Sequence, residues 1–427
     1  MIRVFSAIVC LSVVFTNVST QGAEPISSSS SFQISPETDW HAWRGRHGDG
    51  HAFPDQSPPT DWDEETNIAW KTTVPGKGHG SPIVVGDRVY LATSLDKLEV
   101  REIYCFDRKS GEKLWNLPIH AKKATPAKNK KGTQASSTPA CDGERLYINF
   151  LHDDAMYTSA ISLDGMILWQ TKITPYVVHQ GFGSSPFLYK DLVIVSADNK
   201  SGGAIAGLDK KTGDIVWKRD RPKTPNYPSP VVLHTSGKDQ LLMTGCELVT
   251  SLDPLTGKEN WEIEGATTEC VTSTVTDGNL IYSTGGYPKN HIAAIKTDGS
   301  GEVVWENGVR VYVPSMIVKD KYLYGVTDAG VAMCWEAASG KEIWKGRLGG
   351  TFSSSLVLVN DTLFATNEAG ETFLFKASTT DFELVSKNKL GDICFATPAI
   401  CNSQIFYRAA SMEDGKRVEY LYCISKD

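Results

Sequence analysis

Gly207-Leu208-Asp209-Lys210-Lys211-Thr212-Gly213-Asp214-Ile215-Val216-Trp217 is the stretch whose reading decides the fold. It reads as the end of one strand, a tight Thr-Gly turn and a second strand carrying a Trp. The pattern recurs along the chain. Cys105 to Trp115, Ser251 to Trp261 and Cys334 to Trp344 keep its length, Ala160 to Trp169 is one residue shorter, and Ala294 to Trp305 is one longer. In each copy a glycine stands four residues before the Trp: Gly111, Gly165, Gly213, Gly257, Gly301 and Gly340. The Trp positions recur every 39 to 54 residues, a period that marks a repeat architecture.

Working outward, each unit opens on a Ser- or Thr-led start: Ser81-Pro82, Thr138-Pro139, Ser185-Pro186, Ser229-Pro230, Ser273-Thr274, Ser315-Met316, Ser354-Ser355 and Thr397-Pro398. An apolar strand, a polar turn and an alternating strand follow; in the first unit Val89, Leu91 and Thr93 share one face. With the turn and the Trp strand, each unit makes four short antiparallel strands. The seventh unit is degenerate, with Leu384 where Trp is expected and Thr380 for the glycine. The eighth stops at Asp427 before any Trp strand, whereas Thr66 to Val74, around Trp70, is a Trp strand with no unit of its own. The expected fold is therefore all-β: an eight-bladed propeller of four-stranded blades over residues 66–427. Its ring closes where the N-terminal strand, about 66–74, pairs with the C-terminal blade. Closure of this kind leaves no exposed end to the array, and no polar caps of an open solenoid are evident.

The pattern A/G/S-x-D-x-x-T-G-x-x-x-W resembles the PQQ-like repeat of quinoprotein β-propellers, over about residues 64–427. That family includes the PQQ-dependent dehydrogenases and the smaller BamB-type outer-membrane assembly proteins. The resemblance implies that Trp70, Trp115, Trp169, Trp217, Trp261, Trp305 and Trp344 are interblade residues, packed between a small residue and a glycine of adjoining blades. The dehydrogenase branch implies PQQ with calcium in the axial funnel. It also implies adjacent cysteines over the cofactor and a catalytic Asp, which this sequence lacks or does not match residue by residue. The BamB-type branch implies a lipid anchor, for which Cys10, inside an apolar run, is poorly placed.

Residues 1–23 read as a signal peptide: Arg3, then an apolar run from Val4 to Phe15, then small residues to Ala23. The run is too short to span a bilayer as a retained helix. An exported, periplasmic or extracellular protein is expected, with no transmembrane segment in the mature chain. Residues 24–38, with five serines at 27–31, read as a flexible linker, and 39–65 as an aromatic, glycine-rich segment. In the latter, His41, His47 and His51 are read as part of an aromatic clasp around Trp40 and Trp43 rather than as metal ligands, and no metal site is expected. The net charge of −7 and pI near 5.8 argue against nucleic-acid binding. Cys105, Cys334 and Cys423 share one repeat position and read as compact buried residues, while one disulfide among Cys141, Cys246, Cys270, Cys394 and Cys401 stays open.

In a propeller the loops entering each first strand open on one face around the axis. Here they carry His79, Gln134, His179, Gln180, Tyr227, Glu269, Tyr312 and Arg347, candidate residues of a funnel for a small polar ligand. The loop 116–136 also holds Lys122, Lys123, Lys128, Lys130 and Lys131, read as a solvated insertion or a dock for an acidic partner. Catalytic residues are unknown: no catalytic or phosphate-binding motif is present. The expected role is a non-catalytic, monomeric binding or scaffold module for a protein or cell-envelope component. The alternative is a quinoprotein oxidoreductase with PQQ and calcium.

Overall fold

The first and last strands of the fold lie side by side. In the computed structural model, which describes residues 31–426, Ile68–Val74 pairs antiparallel with Lys416–Ile424, setting Trp70 opposite Cys423. With Ala399–Cys401 and Gln404–Glu413 these strands form one of eight four-stranded antiparallel sheets. The other seven are built from consecutive strands, as in blade one: Ile83–Val85, Arg88–Leu95, Val100–Asp107 and Lys113–Ala121. First strands of successive blades are neighbours and ring the axis. The eight-bladed, end-to-end closure read from the repeat is the observed architecture. The expected signal peptide lies outside the described residues.

The repeat motif accounts for its own turn. Asp209 Oδ1 accepts the backbone N–H groups of Lys211 and Thr212, both at 2.8 Å, and Asp107 and Asp253 do the same in their blades. The glycine that follows has a positive φ, +78° at Gly213, where a side chain would be strained. Beyond the turn the ladder slips by one residue just before the Trp, as Trp217 pairs with Gly207 but Ile215 with Leu208. This bulge recurs in every blade. It leaves Leu114, Leu168, Val216, Val304 and Val385 as the extra, outward residue, and it sets the ring that follows toward the next blade.

Each Trp faces the small residue of its own blade and lies over the turn of the next. A Cβ on Gly111, Gly165, Gly213, Gly257 or Gly340 would meet Trp70, Trp115, Trp169, Trp217 or Trp305, respectively. The indole N–H groups of Trp70, Trp115, Trp169, Trp217, Trp305 and Trp344 donate to backbone carbonyls of that next turn, from Arg108 O at 2.9 Å to Ser378 O at 2.8 Å. Trp261 differs. It donates to Gln240 Oε1 of its own blade and rests on Gly299, because the longer fifth copy swings Gly301 onto Ile263. In blade seven the ladder corrects the alignment: Ser386, not Leu384, occupies the Trp position opposite Leu374. Trp62 from the N-terminal segment covers this gap, stacked on Phe364 at 6.5 Å, with its backbone N–H bonded to Asn388. The apolar core is accordingly divided among the blade interfaces. All eight cysteines described are buried and free, including the five for which a disulfide stayed open.

Around the axis the eight unit starts form a second ring. The backbone N–H of Ser81 donates to Thr138 Oγ1, Thr138 to Ser185, Ser185 to Ser229, Ser273 to Ser315, Ser315 to Ser355, Ser355 to Thr397, and Thr397 back to Ser81, at 2.9–3.1 Å. At the remaining position Ser273 Oγ takes the Trp43 indole N–H instead, at 3.1 Å.

Trp43 belongs to a segment that crosses the axis. Trp40 bridges Val84 of blade one, and His41 O accepts from Cys141 of blade two. Arg44, fully buried, donates to Met316 O beside blade six, and Gly50 and Ala52 bond Leu358 of blade seven. The linker expected over 24–38 is bonded to the ring from Phe32 onward: Phe32 donates to Gly143, and Glu37 and Thr38 accept from Asn402 and Arg108.

Two predictions follow from this packing. Gly257→Ala puts a Cβ 2.4 Å from the Trp217 ring at a φ of +66° and should cost roughly 2–4 kcal/mol. Gly237→Ala, at φ +74° with nothing within 4 Å, should carry only the backbone term, about 1 kcal/mol. Equal losses for the two variants in denaturant titrations would show that the glycine is not there for the Trp. Second, burial pushes His41 down to about 4 and His120, stacked on His152, down to about 3. The folded chain thus binds fewer protons than the unfolded chain below pH 6.5, so stability is full above that pH and drains as pH falls toward 4. The melting temperature should be flat above pH 7 and drop between pH 6.5 and 4.5, less steeply in His120→Phe.

Candidate functional site

All eight entry loops converge on one cavity of about 310 Å³. Blade one supplies His79, blade two Asn129, Lys131, Thr133 and Ser136, blade three Gln180, Phe182 and Ser185, blade four Tyr227 and Ser229, and blade five Val271. Tyr312 to Ser315, then Ser353 and Ser355, then Phe395 complete the wall, and Trp43 of the axis-crossing segment also lines it. The propeller's channel is thus a funnel with a floor.

Of the eight residues expected there, His79, Gln180, Tyr227 and Tyr312 line the cavity. Glu269 and His179 stand just behind it as a pair, Oε1 to Nε2 at 3.1 Å, and the Tyr312 hydroxyl donates to Glu269 Oε2 at 3.3 Å. Gln134 faces an adjoining cleft with Lys77 and Asp96. Arg347 ends the fourth strand of blade six, exposed and away from the cavity lining. The interblade Trp residues lie in the girdle described above. His41, His47 and His51 lie in the segment beneath the funnel, and among the described residues no three His, Cys, Asp or Glu side chains gather as metal ligands.

The funnel is electrically quiet. His79 stacks on Phe395 at 4.1 Å, and burial pushes its pKa well down, with Arg417, Arg408 and Lys77 adding to the effect. It is therefore neutral near pH 7. Burial, with Glu269 nearby, pushes the Tyr227 and Tyr312 hydroxyls up, so both stay protonated. Lys131, the one lysine of the lining, is tied to Glu368 of blade seven at 2.7 Å, and Ser353 holds the same carboxylate. That pair joins the long loop of blade two to blade seven, past blades one and eight. Backbone bonds from Lys128 and Asn129 to Gln180 O fasten the loop further, so it forms part of the funnel wall rather than a free insertion.

These residues do not fit PQQ with calcium. Calcium takes six to eight oxygen ligands, and tight sites draw on carboxylates among them. Of the carboxylates around the funnel, Glu269 is held by His179 and the Tyr312 hydroxyl, Glu368 by Lys131 and Ser353, and Asp328 accepts the Tyr312 backbone N–H at 2.8 Å. A carboxylate-bearing quinone would find Lys131 already neutralised. Trp43, Phe182, Phe395 and the ring hydroxyls were not among the expected site residues. The aligned Ser and Thr unit starts carry the sequence signal for the ring hydroxyls.

A search of curated proteins finds no match. Among solved structures, BamB from Moraxella catarrhalis superposes with a TM-score of 0.56 at 10% identity, over 83% of this chain and 98% of that one. A europium-containing methanol dehydrogenase gives 0.64 at 11% identity, over 91% and 98%. Quinohemoprotein alcohol dehydrogenase from Comamonas testosteroni gives 0.66 at 12%, over 92% and 82%. At such identities the likeness establishes the fold alone. A family model described as outer membrane protein assembly factor BamB matches residues 60–150, 99–345 and 288–382, which together span most of the ring. The chain belongs to that family of PQQ-like β-propellers.

Proposed function

We propose that this protein is an exported, non-catalytic binding module that presents its funnel face to a protein or another cell-envelope component. The observation that carries the reading is the convergence of all eight entry loops on one floored cavity, with Lys131 paired to Glu368 and Glu269 held by His179 and Tyr312. A carboxylate acting as catalytic base needs a free lone pair within reach of a substrate proton. Here Glu269 is held by His179 and Tyr312, behind the wall rather than in it. Family membership supports the assembly or scaffold class, and the apolar start of the sequence supports export. No helix among the described residues is long and apolar enough to cross a membrane.

Immobilised full-length chain should retain a defined component from envelope extracts of its source cells. Tyr227→Ala combined with Gln180→Ala should release that component while the melting temperature holds. Equal capture by the double variant, or saturable uptake of PQQ with calcium seen by absorbance together with alcohol turnover, would defeat the reading in favour of the quinoprotein.

A further inference from the structure

The hydroxyl ring has donor capacity that its own fold does not use. A serine hydroxyl carries one proton and two lone pairs. Ser185, Ser229, Ser315 and Ser355 each accept a backbone N–H from the preceding blade, and all four line the funnel. No described residue accepts their protons in return. Ser185, Ser315 and Ser355 are each only 2% exposed, so bulk water has little access to them. Buried donors without acceptors are costly, which makes the floor of the funnel a place where a ligand's oxygen atoms are favoured.

The rest of the lining narrows the ligand. Trp43, Phe182, Phe395, Tyr227 and Tyr312 offer aromatic surface, so the ligand has an apolar face as well as oxygen-bearing edges. An anion would give up its hydration with no uncommitted cation to meet, because Lys131 is paired with Glu368 and His79 is neutral. A volume of about 310 Å³ stands at the low end of small-ligand sites, enough for one ring rather than several. The segment bearing Trp43 also blocks the axis, so a polymer can enter only by an end. We propose that the funnel is a saccharide site that takes one terminal pyranose ring of a glycan, its C–H face against the aromatic side chains and its oxygens toward the serine protons. This deepens the binding reading above and rests on it.

The test is titration of the full-length chain, by calorimetry and tryptophan fluorescence, with methyl pyranosides of glucose, galactose, mannose and N-acetylglucosamine. Maltotetraose, α-cyclodextrin and citrate form the comparison arms. At least one pyranoside should saturate with a Kd of about 1 mM or tighter. A linear oligosaccharide ending in that sugar should bind, and the cyclic one, which has no end, should not. Trp43→Ala should weaken binding about tenfold or more. Because Trp43 also closes the hydroxyl ring, Gln180→Ala serves as a second variant outside that ring, with the melting temperature checked for both. No saturation by any pyranoside on folded protein, equal binding of the cyclic sugar, unchanged affinity in both variants, or binding of citrate instead would each overturn the proposal. Retention of an envelope protein alongside failure of every sugar would leave the binding module standing and remove only its saccharide ligand.

Discussion

A tryptophan ring lodged between one blade's small residue and the next blade's turn is the contact on which this structure depends. A blade of four short strands has two broad faces and cannot bury both by itself. The Trp links neighbours through apolar area and, in six blades, through an indole hydrogen bond to a carbonyl of the following turn. The bulge before it orients the ring, and the glycine beyond lets the plane come close. Because the Trp70 strand enters from the other end of the chain, the ring of blades has no open end, and the Trp series breaks only at blade seven.

Where the motif decays, the fold compensates from elsewhere. Blade seven has Ser386 at the Trp position, and its hydroxyl and the Asn388 side-chain N–H both donate to Thr60 O, drawing in the segment that carries Trp62. At the preceding interface, where the turn has no glycine for the ring to lie on, Phe382 packs on Trp344 at 5.6 Å. The seam itself is held by more than strands. Arg408 and Glu419 form a fully buried pair in blade eight, and Arg408 also reaches Ala92 O of blade one at 2.6 Å. Removing Glu419 would strand the buried Arg408 charge, whereas Glu419 also pairs with Arg417 at 2.6 Å.

The N-terminal segment gives the site its character. A propeller of this kind is a tube by construction, and residues 39–52 close it by bonding to first strands on opposite sides of the axis. The hydroxyl ring and the segment are one construction, since the ring's eighth place is filled by the Trp43 indole. What remains above is a neutral, aromatic, donor-rich funnel whose charged neighbours have already paired.

Much of this was legible in the sequence because local chemistry repeats. Asp209, Thr212 and Gly213 specify a turn through their own hydrogen bonds and backbone freedom, and eight Ser- or Thr-led unit starts specify the blade count. The unpaired Trp70 strand announced the closure, because a strand without a sheet must find one. The funnel was half legible: entry loops must face the axis, so His79, Gln180, Tyr227 and Tyr312 could be named. Nothing local says how deep each loop reaches, which is why Glu269 and His179 stand behind the wall and Arg347 stands outside it. The path of residues 39–52, the meeting of Trp43 with Ser273 and of Lys131 with Glu368, and the alignment of Ser386 were decided by the tertiary structure alone. Those contacts join residues more than 200 positions apart, or a ladder register set by its partner strand, and no pattern within one repeat encodes such a distance.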